Sequence, residues 1–353
     1  MRAIVIREPG PPEQSLLLET VPDPVPGPGQ VVIRVEACGV CAHDVAKRSG
    51  ILRRGIEMPL IPGHEVAGTI AGIGEDVRGY QIGQRVATTQ RSHICLECRY
   101  CRAGREPLCD EAVFMGDRGL NGGYAEYVAT DASTIAAIPD GVSFAQAAIA
   151  ACAIGTVYHA AFPVGRIRPG ETVLVTGASG GLGIHALQMG RLGGARVIAA
   201  TSSPGAADML RSQGADVVIA TERGGDFSAA ILAETSGAGA DIVIDTVGTP
   251  VFNAVRKSLA KAGRWVMVGQ VTGTFVQFNP AQLFLRDISM LSATSTTRSE
   301  LQRCLSLIAR DLIRPVVSDI LPLEAACKAH ALMEEGALAG RIVLAPHASG
   351  VAA

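Results

Sequence analysis

The sequence predicts an α/β protein with a β-rich, barrel-like domain and a doubly wound parallel-sheet domain. Three observations carry this. Short apolar runs and helical patterns alternate from about residue 173 to 293. A glycine-rich turn sits between the first of those runs and the first helix. The first third is rich in Gly and Pro, with short β-branched runs. Alternation at the spacing of βαβ units requires a parallel sheet covered on both faces, and its strands read as continuous apolar stretches.

The elements follow in order. Val31 to Val35, Glu65 to Ala71 and Arg85 to Thr89 are predicted strands, separated by turn sequences such as PDPVPGPG from Pro22 to Gly29. Strands are then expected at Val173 to Thr176, Arg196 to Ala200, Val217 to Ala220, Asp241 to Asp245, Arg264 to Val268 and Ile288 to Ala293. Helices are expected between them, at Leu182 to Leu192, Ala206 to Gln213, Phe227 to Thr235 and Val251 to Leu259. Helices near Ser299 to Ala309 and Leu323 to Glu334 and a strand at Arg341 to Leu344 return the chain to the first domain. The expected division is therefore 1–148 with 294–353, against 149–293. The 353 residues suit two domains of about 150 residues each.

Composition narrows the function. Net charge is −2, no basic run stands out and aromatics are 4% of the chain, so nucleic acid is excluded as a partner. No stretch of about 18 apolar residues predicts a membrane span. The N-terminus, MRAIVIREPG, lacks the pattern of a signal peptide. Nine cysteines, an odd number clustered at metal-like spacing, point to a reducing cytoplasm rather than a disulfide framework.

Four of them, Cys95, Cys98, Cys101 and Cys109, lie in CLECRYCRAGREPLC. Thiolates at this spacing can close a tetrahedron around zinc; a closed site admits no water and builds structure only. Cys41 in GVCAHD, His64 in PGHE and Cys152 in CAIGTVY are the other metal candidates. Three protein ligands leave one position open, the layout of a catalytic zinc. Taken singly, a buried cysteine is more often a small hydrophobe. In VLVTGASGGLGIHALQ, glycines 177, 180, 181 and 183 let the backbone approach a pyrophosphate at a helix N-terminus; an ordinary strand–helix turn is the plainer alternative. Thr201, Ser202 and Ser203 stand at the end of the second strand, where enzymes using NAD usually place a carboxylate. Their hydroxyls leave room for a 2′-phosphate and favour NADP(H) over NAD(H).

These motifs, in this order over nearly the whole length, resemble the zinc-dependent alcohol dehydrogenases of the medium-chain dehydrogenase/reductase superfamily. The resemblance implies a GroES-like catalytic domain with a structural-zinc lobe at about 93–110, a Rossmann domain, and a dimer or tetramer. It implies that Cys41, His64 and Cys152 hold a catalytic zinc, with Glu65 able to approach the metal and Asp44 orienting His64. It implies a structural zinc on Cys95, Cys98, Cys101 and Cys109. For the cofactor it implies Ser179, Gly180, Gly181, Leu182, Thr156, Thr246, Val247, Gly248 and Gly269, with Arg298 reaching the pyrophosphate. One position departs: His43 stands where alcohol-oxidising members carry a hydroxyl that starts a proton relay. An imidazole, with an ordinary pKa of about 6.5, can relay a proton, or His43 simply lines the pocket. The stretches VLVTGASGGLGIHALQ and VIDTVGTPVFNAVRKSL also resemble the acryloyl-CoA and quinone reductase branch. The leading expectation is hydride transfer between NAD(P)(H) and an alcohol or carbonyl compound. Reduction of an activated C=C bond is the second, and an NADPH-binding protein without turnover the third.

Overall fold

The structure is a computed structural model and describes residues 1–336 and 339–347. The chain divides into two compact units. One comprises Met1–Gly155, Ser295–Asp311 and Val317–Ala353, the other Thr156–Thr294 and Leu312–Val316. The first division falls at Gly155 rather than at 148, because Ala150–Gly155 packs on the segment that opens helix Arg298–Ala309. A Cβ on Gly155 would lie 2.7 Å from Thr296 Oγ1. Leu312–Val316 joins the second unit through hydrogen bonds. Arg314 N donates to Gln188 Oε1 at 2.8 Å, Gln188 Nε2 donates to the Arg314 carbonyl at 2.9 Å, and Val316 N donates to His185 Nε2 at 3.0 Å.

The first unit is built on a seven-stranded sheet. Its path runs Ile135–Ala137, Arg85–Thr88, Val66–Ile73, Gln30–Gly39, Arg341–Ala345, Val317–Pro322, with Tyr127–Asp131 pairing the first half of Gln30–Gly39. Gln30–Gly39 runs antiparallel to Val66–Ile73 in a register that sets Val31 against Ile73 and Cys38 against Val66. Ile33, Val35, Ile70, Val86, Val128, Ile135 and Leu344 are buried in one core. The strand Val317–Pro322 was not expected. Its sequence, VSDILP, mixes polar and apolar residues and ends on proline, so it lacks the apolar run that marks a strand.

The second unit holds six parallel strands: Thr172–Val175, Arg196–Thr201, Val217–Ala220, Ala240–Asp245, Leu259–Met267 and Ser289–Ser292. Numbered in chain order they lie 3-2-1-4-5-6, the doubly wound order that places a crevice beside the first strand. Leu174, Ile198, Val243 and Trp265 have no appreciable exposure, as expected for strands covered on both faces. No helix among the described residues is long and apolar enough to cross a membrane.

Candidate active site, cysteine lobe and dinucleotide turn

Local backbone chemistry presents each residue of the buried cluster. Cys41 is the N-cap of helix Ala42–Arg48, directly after strand Gln30–Gly39. His64 and Glu65 come from the turn entering strand Val66–Ile73. Gly63 there has φ +97, and a Cβ would fall 2.5 Å from the Tyr124 ring, so only glycine makes the turn. Gly39 is equally constrained, since a Cβ would lie 2.3 Å from Glu65 Oε2. Cys152 sits in the π-helical segment Ala150–Gly155; such wide turns recur at functional sites.

One ligand atom from each of Cys41, His64, Glu65 and Cys152 lies within 4.8 Å of the others. The Cys41 and Cys152 sulfurs are 3.9 Å apart. A tetrahedral zinc with Zn–S of about 2.3 Å sets its sulfurs about 3.8 Å apart, so these residues fit the ion. The cluster's charge also fits a cation. The hydrogen bond from Cys152 holds the Cys41 thiol well below its usual range and drives Cys152 well above it. Burial lowers the His64 pKa, yet Asp44 and Cys41 outweigh it and push it up to about 10.

Asp44 ties the ligands together. Cys41 N donates to its Oδ2 at 3.3 Å and Gly63 N to its Oδ1 at 3.1 Å, while His64 Nδ1 lies 3.3 Å from Oδ1. His64 Nδ1 has no aligned hydrogen bond, so Asp44 holds the imidazole by charge across that distance. Two residues that sequence reasoning missed complete the surroundings. Lys47 is fully buried, 3.1 Å from Asp44 and 3.2 Å from Asp117, and donates to the Gly116 carbonyl at 2.8 Å. Arg341 is 2.7 Å from Glu65 and 3.6 Å from both the Cys41 and Cys152 sulfurs. The only signal for Arg341 was a charge inside an otherwise apolar strand, RIVLA. Burial raises the Glu65 carboxyl to about 7 although Arg341 opposes it.

His43 projects from the same helix. Its Nε2 lies 3.0 Å from Asp117 Oδ1, and its ring meets His64 edge-on at 5.3 Å between centroids. Phe114 packs on both imidazoles, 4.6 Å from His43 and 4.9 Å from His64.

Cys95, Cys98, Cys101 and Cys109 also converge, with ligand atoms within 4.8 Å of one another. Cys95 and Cys109 sulfurs are 3.5 Å apart, compatible with a shared tetrahedral ion and far beyond a disulfide bond. Backbone N–H groups of Cys101 and Asp110 lower the Cys98 thiol to about 6. The thiolate that a metal needs is thus stabilised by the loop's own amides.

In the second unit the predicted cofactor residues other than Thr156 lie at or just after the carboxyl ends of strands. Gly177 has φ +57, and a Cβ on Gly183 would lie 2.1 Å from the Gly177 carbonyl, so the turn and the close helix–strand approach both require glycine. Ser179 Oγ bonds Thr201 Oγ1 at 3.1 Å, leaving Thr201 buried and Ser202 exposed; Ser203 N donates to Thr201 Oγ1 at 3.0 Å. Asp245, another residue missed as a contributor, is fully buried. It accepts from Thr176 Oγ1 at 2.6 Å, Val247 N and Gly248 N at 3.0 Å, and Trp265 Nε1 at 3.1 Å. It thereby pins the loop Thr246–Gly248 to the first strand. Gly269 closes against that loop, where a Cβ would fall 2.5 Å from the Thr246 carbonyl. Thr156 is buried at the start of helix Thr156–His159. Arg298 belongs to the first unit, where its guanidinium donates to the Ile135 carbonyl at 2.8 Å and the Tyr80 hydroxyl at 3.0 Å.

Two family models match the chain: the alcohol dehydrogenase GroES-like domain over residues 27–140 and the zinc-binding dehydrogenase domain over residues 181–310. Acryloyl-coenzyme A reductase of Sulfurisphaera tokodaii is 34% identical, over 98% of this chain and all of that protein. An alcohol dehydrogenase of Geobacillus stearothermophilus is 33% identical over 98% of each. Among solved structures, AibC superposes with a TM-score of 0.91 at 42% identity, over 98% of this chain and 95% of that one. An NAD-dependent alcohol dehydrogenase gives 0.90 at 33% identity, over 98% and 99%. The two sulfur-rich donor sets agree with the zinc-binding dehydrogenase description of the second family model, and the glycine-rich turn with the NAD dependence that names one of these structures. The chain therefore belongs to the zinc-dependent alcohol dehydrogenase family of medium-chain dehydrogenases/reductases, and is an NAD(P)-dependent oxidoreductase with a GroES-like and a Rossmann domain.

Proposed function

We propose that the chain carries hydride between NADP(H) and a small alcohol or carbonyl compound, with one zinc at Cys41, His64 and Cys152 and a second in the four-cysteine lobe. The observation that supports this is the buried Cys41–His64–Glu65–Cys152 cluster, whose ligand atoms lie within 4.8 Å of one another. When bound there, zinc supplies Lewis acidity toward a substrate oxygen. Asp44 orients His64, and Arg341 holds Glu65 beside the ligands. His43, steadied by Asp117, carries the proton between the substrate oxygen and solvent. Ser179, Gly180, Gly181 and Leu182 cradle the pyrophosphate, Thr201 to Ser203 accept the 2′-phosphate, and Thr156, Thr246 to Gly248 and Gly269 line the dinucleotide. A cytoplasmic location agrees with the nine unbridged cysteines. Self-association into a dimer or tetramer is supported by exposed apolar residues at Val271, Phe275, Phe284 and Leu285, close in sequence to the edge strand Ser289–Ser292.

A second reading, NADPH-dependent reduction of an enoyl thioester or enone, is favoured by His43 in place of a hydroxyl and by the acryloyl-coenzyme A reductases among the relatives. NADPH and NADH oxidation with a panel of aldehydes beside acryloyl-CoA, on protein of measured zinc content, separates the two. Turnover of aldehydes that is lost on zinc removal supports the first. Turnover confined to the enoyl substrate and surviving Cys41→Ala supports the second.

A further inference from the structure

Arg91 is bound to neutral partners only. It stands in the short strand Arg91–His93, directly opposite Phe114 in the antiparallel pair. Its guanidinium carbon lies 4.8 Å from the centroid of the Phe114 ring, the ring that packs on both His43 and His64. Nη1 donates to Ser295 Oγ at 2.8 Å and Nη2 to the Pro107 carbonyl at 3.0 Å. A guanidinium has five N–H groups, so three remain. No carboxylate among the described residues lies within ion-pair distance of it. The nearby Asp117 is engaged by His43 and Lys47. The most buried arginines differ: Arg341 meets Glu65 and Arg48 meets Glu334. Burial lowers the Arg91 pKa to about 10, with Asp117, Cys152 and Cys109 acting the other way. A half-buried cation stacked on an aromatic ring, with no anion beside it, gains from a matching ligand, and three unpaired N–H groups, none of them fully buried, suit the two-point contact of a carboxylate.

We infer that Arg91 is a specificity-determining residue that binds a carboxylate carried by the substrate, one aromatic ring away from the metal ligand His64. This deepens the reading of the buried cluster as the reaction centre and rests on it.

The test uses the zinc-loaded full chain, Arg91→Met and Arg91→Lys. NADPH oxidation is followed with 4-oxobutanoate and butanal, a pair differing in the carboxylate, and succinate is titrated calorimetrically into the NADPH-bound enzyme. The wild type should prefer 4-oxobutanoate. In Arg91→Met the anionic-to-neutral ratio of kcat/KM should fall about tenfold to a hundredfold, through KM, with a matching loss of succinate affinity, the size expected for a charge-assisted hydrogen-bond pair. Arg91→Lys should restore part of both. A wild type that neither prefers 4-oxobutanoate nor binds succinate overturns the inference. So does an Arg91→Met that loses equally on both substrates and binds succinate like the wild type, which would make Arg91 a strut between Pro107 and Phe114. Arg91-dependent succinate binding without turnover of either aldehyde would uphold the inference and defeat the carbonyl reading instead.

Discussion

The lobe takes its sulfurs from one short stretch of chain, Cys95 and Cys109 being 14 residues apart. The buried cluster joins Cys41 to Cys152 across 111 residues and adds Arg341 from the last strand. In the lobe, amides of the same loop stabilise the thiolates: Cys98 N donates to the Cys95 sulfur and Cys95 N to the Cys109 sulfur, both at 3.3 Å. In the cluster a second layer of buried charge does this work, with Asp44, Lys47 and Arg341 fixing groups that the sheet merely brings near. A contiguous site is specified by loop conformation, whereas an assembled one is only as good as its scaffold.

The strongest way to break this contrast is to remove the scaffold charge. Lys47→Met leaves Asp44 buried with one fewer counter-charge and should cost about 3–5 kcal/mol of stability, read by urea unfolding. A loss below about 1 kcal/mol would show that the network is dispensable. Next, Cys41→Ala should lower turnover by about a thousandfold, the scale of lost Lewis-acid assistance. Zinc per chain should fall from two to one while the lobe keeps its own. Loss of both ions would mean the two sites are not independent.

A smaller effect tests the packing behind Gly63. Tyr124, which packs on Gly63, meets the buried His330 Nε2 at 3.2 Å. Burial lowers the His330 pKa to about 4, against 6.5 ordinarily. The unfolded chain therefore binds a proton that the fold refuses. Stability is fully present above pH 6.5 and declines as pH falls toward 4. Linkage sets the loss at about 2 kcal/mol between pH 8 and pH 5, and His330→Gln should flatten that slope in denaturation curves at the two pH values. The smallest effect belongs to Asp44→Asn, which keeps the shape while weakening the hold on His64. Zinc affinity at the buried site should drop about tenfold to a hundredfold in chelator competition, with the lobe unchanged.

Legibility in the sequence followed the same divide. The convergence of Cys95, Cys98, Cys101 and Cys109 was readable outright, since their spacing is local. The parallel sheet was readable too, with strand Val217–Ala220 where expected and helix Gly183–Leu192 within one residue, because both-face burial leaves apolar runs. The pairing of Cys41 with His64 and Cys152 needed the family resemblance, as no local pattern links residues so far apart. Arg341, Lys47 and Asp245 gave almost no sign, because one charged residue in a strand or helix reads as a surface residue until its neighbours are known. Strand Val317–Pro322 was missed because its alternation is broken, and its place is secured by pairing with Arg341–Ala345.

By itself, then, the sequence determined what short-range chemistry specifies: the spacing that brings the four lobe cysteines together, the glycines of the strand–helix turn, and the alternation of strands and helices. Only the tertiary structure decided which charges face one another. It set His43 on Asp117, Lys47 between two carboxylates, Arg341 on Glu65, and left Arg91 with neutral partners beside Phe114. The reason is physical. Burial turns a charge into a demand for a particular partner, and burial belongs to the packed fold rather than to any stretch of chain.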